Sequence, residues 1–535
     1  MRSLLSVLLS AALWLSGMIA SPAGADAVDA KSQSITIALL QEPPNLDSTR
    51  TTDLVSFFVL GHVGEGLVRY DRRGRLVPAV AERWEQQANR LVFHLREDAR
   101  WSDGSPVIAD DFVYAWRLIN DPDYGAPYAA IMYPIRNAQA VQQGEAPMSA
   151  LGVSAPDPRT LIVDLESPCG YCLSLMVHAA FYPIKQSFHE SAGDTYGAEP
   201  DRLLYNGPFR LTDWVHGARL TLERNPQYWD AESVPLNRIE VGYITEDNHT
   251  RLNLFRDGQI ALARLGAETV KDAVAQGMRL RTFVSGGMAY LSFNLREGRP
   301  TSDVRLRRAI QAAFDADEFV NKVIAIPGYR PAYSFFPSWV PGVESTFLEE
   351  YPVTRPPLDY ARAEALAADF IGDGAPPTLT LLTVTSPTGA KIAEYWQGLI
   401  KQRLGIDVRV DQQTFKQYLQ KIRNGDFDIA LSSWYPDYGD IATYADLLAS
   451  WNPNNRGQYQ NDDYDRHLET VLRSPDQRER MDAARELHRL IRSDVPVLPM
   501  AETGSAYLVH PQLRGVVRRV LGADPDYTGA RVVPP

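Results

Sequence analysis

Between residues 378 and 438 the chain alternates short apolar runs with longer amphipathic ones, and this alternation restricts the fold more than any other feature. Residues 378–384 read as a strand, 388–404 as a helix, 406–410 as a strand and 414–424 as a helix. Residues 427–431 follow, long enough for a buried strand and too short for a typical helix. This order predicts an open α/β sheet with parallel strands, in which ligands sit beyond the carboxyl ends of the strands. Trp434, Tyr435 and Asp437 follow one such end directly. A carboxylate beside aromatic rings can hold a cationic group with a flat or apolar neighbour, such as a peptide N-terminus. An Asp in this position also serves as a backbone cap or turn residue.

The 535 residues allow several domains or one large multi-part fold. The formal net charge of −12 is spread along the chain, which disfavours nucleic acid or an anionic membrane as the main partner. Arg2, the apolar run 4–20 and Ala23-Gly24-Ala25 read as an export signal, with Asp26 as the first mature residue. No later run reaches membrane-spanning length, so the mature protein is expected to be soluble and outside the cytoplasm. The two cysteines, Cys169 and Cys172, lie three positions apart. In an exported chain they suit a small structural disulfide or paired thiols; the same spacing is the redox motif of thioredoxin-like enzymes. No His or acidic residue lies near them at zinc-ligand spacing.

Along the chain, residues 35–40, 91–95 and 160–165 read as strands, and Asp110 as the cap of a helix carrying Phe112, Val113 and Trp116. Residues 121–133, which include Tyr128, read as a loop. Ser285-Gly286-Gly287-Met288 reads as a joint before a strand at 288–294, because adjacent glycines accept unusual backbone angles. Asp303 and Asp317 read as helix caps, and Arg305, Arg307 and Arg308 as a solvated helix face. A last long helix spans 477–492; residues 495–500 then bring the chain back, and a turn-rich tail ends it. Phosphate loops, dinucleotide fingerprints, zinc-protease helices and nucleophile elbows are absent from the sequence. That pattern favours binding over catalysis, with no cofactor and no metal expected.

Four separated stretches resemble the oligopeptide-binding members of the family 5 extracellular solute-binding proteins. They are Leu95 to Val107 with Asp110 to Trp116, then Leu222 to Trp229, then Phe293-Asn294 with Asp303 to Ile310, and finally Trp434 to Tyr438. The resemblance implies an α/β clamshell of the periplasmic-binding-protein type II, two lobes with an additional inserted domain. The implied division places residues 26–65, 186–287 and 503–535 in one discontinuous lobe. Residues 66–185 form the insert and 288–502 the second lobe, with crossings near 285–288 and 500–504. It implies a periplasmic protein that closes around an extended oligopeptide and delivers it to the membrane permease of an ABC importer, as a monomer and without catalysis. Asp437 would take the peptide ammonium. Ser433 to Tyr435 and the region of Leu54 would pair with its backbone, and Tyr128, Phe415, Trp434 and Tyr290 would supply aromatic walls. The basic positions that relatives use for the peptide carboxylate fall on Ile324, Gly389 and Leu431, none of them basic; Lys391 and Arg330 are the substitutes considered. A murein peptide is an alternative ligand within the class. An exported thiol-disulfide oxidoreductase using Cys169 and Cys172 is the alternative outside it.

Overall fold

The computed structural model describes residues 26–535; the expected export signal lies outside the described residues. Two 13-residue strands, Arg281–Phe293 and Val497–Val509, run antiparallel side by side and form the spine of a seven-stranded mixed sheet. Leu262–Leu265 and Arg330–Pro331 pair with Val497–Val509. On the other side of the spine come Ile429–Trp434, Thr378–Val384 and Asp407–Gln413 in that order. Thr378–Val384 is parallel to both of its neighbours, with helices Pro387–Leu404 and Phe415–Asn424 as the crossovers that parallel strands require. The expectation of a parallel sheet holds only there, because the other neighbour of Ile429–Trp434 is the antiparallel Arg281–Phe293.

The expected joint at 285–288 lies inside a continuous strand, but the pairing register with Val497–Val509 shifts between Val284 and Met288. Gly286 sits there at φ +80°, a conformation any side chain would strain. The returning strand runs far beyond residue 500. Its Pro499 falls at a second register shift, and a Cβ on Gly504 would collide with the Gly328 carbonyl. Proline and glycine punctuate the sequence as turns do, which hid this strand.

A five-stranded sheet orders Val28–Asp29, Ser34–Leu39, Arg238–Ile244, Arg219–Arg224 and Phe209–Val215. An antiparallel four-stranded sheet orders Ala81–Gln87, Arg90–Leu95, Thr160–Asp164 and Val153–Asp157. The helix Ala109–Asn120 buries Phe112 and Trp116. Its cap is Asp111 rather than Asp110: the carboxylate accepts from the Ile108 amide and Trp101 Nε1, both at 3.0 Å. Asp315 likewise replaces Asp317 as a cap, accepting from the amides of Asp317 and Glu318, whereas Asp303 accepts from the Arg305 amide as expected.

The arginine cluster is a solvated face only at Arg305, whose side chain is partly exposed and pairs with Asp303 and Asp369. Arg307, 4% exposed, donates to the carbonyls of Asp494 and Val495, and Arg308 to that of Ser493. These carbonyls end the helix Gln477–Asp494 and have no acceptor role inside it. The cysteines form a disulfide, with both residues buried. Thiol exchange requires an accessible sulfur, so the redox reading finds no support in this placement. Tyr171, between them, stacks on Tyr438 with ring centres 4.6 Å apart. Beside it Arg480, 1% exposed, donates to Asp440 at 2.6 Å and to the Val471 carbonyl and Gln477 Oε1 at 2.7 Å. Gly170 lies against this guanidinium, where a Cβ would approach within 2.8 Å. The disulfide turn is thereby fixed against the turn that follows Trp434.

Removing one member of a buried ion pair strands the other charge. Asp440→Ala is therefore expected to cost about 3–5 kcal/mol in urea unfolding. Asp463→Ala, which breaks a pair exposed on both sides, is expected to cost less than about 1 kcal/mol.

Candidate ligand-binding site

The strand Ile429–Trp434 ends in a turn whose Asp437 amide donates to Thr443 Oγ1 at 3.2 Å, tying it to the short helix Ala442–Ala445. The turn forms one wall of a cavity of about 660 Å³. The start of helix Leu54–Val63, Tyr128, Ser285 and Ser505 of the spine, and residues 518–525 of the C-terminal segment form the rest. Volume and lining suit a ligand that is largely enclosed.

Asp437 is partly buried and opens onto this cavity. Burial pushes its carboxyl up to about 6, and the Tyr128 hydroxyl acts in the opposite direction. Burial, followed by the charge of Asp437, pushes Asp446 up to about 7. Among the described residues no cationic side chain offsets either group. Two carboxyls sharing a poorly solvated corner without a counter-ion favour any cation that enters. Trp434 Nε1, on the same wall, is buried without a hydrogen-bond partner among the described residues. His178 stands edge-on to Phe57 at 4.8 Å and to Tyr128 at 5.8 Å. Burial lowers its pKa to about 4, so it packs as a neutral ring that braces Tyr128.

The structure brings Leu54, Tyr128, Trp434, Tyr435 and Asp437 to this one cavity; Leu54 is 72% exposed and stands at its edge. Ser433 is exposed and pairs with Ala289 within the sheet. Tyr290 lines a smaller neighbouring pocket with Phe335 and Ser432, joined to the main cavity through Asn454, which borders both. Phe415, 66% exposed, stacks on Tyr418 outside the cavity wall. Ile324, Gly389 and Leu431 also lie off the wall, as do Lys391 and Arg330. Gly389 has no room for a side chain, since a Cβ would come within 2.6 Å of the Val384 carbonyl.

Sequence reasoning missed four arginines of the wall, Arg251, Arg264, Arg518 and Arg519. Arg518 and Arg519 are neutralised by Asp524 and Asp526, each at 2.7 Å. The alternation of those arginines and aspartates was visible in the tail, but nothing local placed it at a cavity.

Residues 75–456 match the family described as bacterial extracellular solute-binding proteins, family 5, middle. The chain is 31% identical over 513 residues to the periplasmic oligopeptide-binding protein OppA of Salmonella typhimurium, covering 94% of this chain and 92% of that protein. It is 30% identical to the periplasmic murein peptide-binding protein MppA of Escherichia coli, covering 91% of this chain and 90% of that protein. The substrate-binding domain of an oligopeptide ABC transporter from Bacillus anthracis superposes with a TM-score of 0.78 at 31% identity, covering 94% of this chain and 99% of that one. The fold is the mixed α/β clamshell of the type II periplasmic binding proteins. On the length and consistency of these matches, the chain belongs to family 5 of the bacterial extracellular solute-binding proteins.

Proposed function

We propose that this protein captures oligopeptides in the cavity beside Asp437 and delivers them to the membrane permease of an ABC importer, performing no covalent chemistry. The observation that carries this reading is a carboxylate without a counter-ion, set among aromatic rings on the wall of a peptide-sized cavity. The α-ammonium of a peptide supplies the missing charge, and Trp434 and Tyr435 flank its first residues. The main chain at Ser433 to Tyr435 and the region of Leu54 pair with the peptide backbone as an added strand would, which gives affinity without reading side chains. Tyr290 offers aromatic surface in the neighbouring pocket. The names of the two curated relatives, one for oligopeptides and one for murein peptides, support the class.

In this reading residues 26–65, 186–287 and 503–535 move as one lobe with the insert 66–185, and 288–502 as the other. The register break at Gly286 and the strand at Gly504 act as the hinge. Residues 1–25 are removed on export, and the mature protein works in the periplasm as a monomer.

Native mass spectrometry of the protein purified from its own periplasm, with the released ligand sequenced, tests the reading. A mixture of free-amine peptides is the expected result. A single cell-wall fragment narrows the class to murein peptides, and a ligand without an amine contradicts the role of Asp437.

Asp437→Asn is expected to weaken peptide affinity about tenfold or more by calorimetry, from loss of a charge-assisted contact. Only ionised Asp437 holds an ammonium, and in the free protein it titrates near 6. Affinity should therefore fall about tenfold as pH drops from 7 to 5, while Asp437→Asn should be nearly flat over that range. An equal slope in the variant would assign the titration to another group.

A further inference from the structure

Arg251 and Arg264 stand out among the cations of the cavity wall because neither forms an ion pair among the described residues, unlike Arg518 and Arg519. Arg251 lies in the helix Asn248–Arg256 and is 5% exposed. One of its terminal nitrogens donates to the Thr245 carbonyl at 3.0 Å and the other to Asn248 Oδ1. Its Nε is buried with no partner. Arg264 is exposed, on the strand Leu262–Leu265, and is close enough that its charge depresses the pKa of Arg251, after burial. The charges of Asp247 and Glu246 reach Arg251 without forming an ion pair, so a buried guanidinium hydrogen-bonded to neutral oxygens, with a second beside it, favours an anion.

We infer that Arg251 and Arg264 form a carboxylate subsite in the cavity onto which Asp437 opens. The inference rests on the peptide reading and adds the ligand's anionic contact. None of the three positions implied by the family resemblance, Ile324, Gly389 and Leu431, is basic or borders the cavity.

Both arginines border the cavity onto which Asp437 opens, so one ligand can meet the carboxylate and the guanidinium groups together. The carboxylate comes either from the C-terminus or from an acidic side chain near that end; both present the planar pair of oxygens that a guanidinium fork accepts.

The test uses the ligand-stripped mature protein and a randomised hexapeptide pool in three forms: free, C-terminally amidated and N-acetylated. Retained peptides are quantified and sequenced for wild type, Arg264→Ala and Asp437→Asn. Wild type is expected to retain free acids over amides by about tenfold or more if the terminus is read. If side chains are read, it should enrich Asp and Glu in both forms. Arg264→Ala is expected to lose that preference while still rejecting the acetylated pool and keeping its unfolding midpoint, because Arg264 is exposed. Equal retention of acids and amides by wild type with no acidic enrichment overturns the subsite, as does an unchanged preference in Arg264→Ala. In both cases rejection of the acetylated pool leaves the peptide reading standing. Indifference of wild type to acetylation overturns the peptide reading and the subsite with it.

Discussion

The antiparallel pairing of Arg281–Phe293 with Val497–Val509 is the constraint on which the rest of the molecule hangs. Every other strand of the seven-stranded sheet reaches its place through one of these two. Buried main-chain groups must be paired, so a ladder of this length fixes the order of everything attached to it. The wider of the ladder's two register shifts lies between Val284 and Met288, and glycine occupies its centre. At that shift the hydroxyl of Tyr444 and the indole of Trp339 both donate to the Gly286 carbonyl, which satisfies it outside the ladder. A local interruption of the ladder gives the proposed closing motion a place to bend.

The turn after Trp434 divides its acids between two tasks. Asp440 is locked to Arg480, which also fastens the turn to the disulfide loop through Gly170. Asp437, three residues earlier, has no such partner among the described residues, and burial pushes its carboxyl up to about 6. Within a few residues one ion pair is completed inside the protein, and in the proposed reading the other is completed by the ligand. The desolvation that makes Asp437 costly in the free protein favours a bound ammonium strongly. The same logic applies to Arg251 on the cavity wall, whose hydrogen bonds go to neutral oxygens.

Much of the sheet was legible because its signals are local. The strand Thr378–Val384, the helix at 388–404 and the cap at Asp303 follow from apolar period and from Asp before a helical run. Asp437 could be singled out because it follows a short apolar run directly. What escaped depends on partners distant in sequence. Nothing near Arg307 announces that it caps a helix ending at Asp494. Pro499 and Gly504 look like turns and lie in a central strand, because tertiary pairing overrides local preference. Arg251 and Arg264 became visible only once the helix and strand that carry them bordered the same cavity.

The central claim is that a ligand ammonium completes the charge of Asp437. A crystal structure of the protein with the ligand it retains through purification tests this most directly. The account predicts a ligand nitrogen within hydrogen-bond distance of the Asp437 carboxylate, with the ligand backbone paired along Ser433 to Tyr435. A ligand seated elsewhere, or one that presents no cationic nitrogen to Asp437, would contradict it.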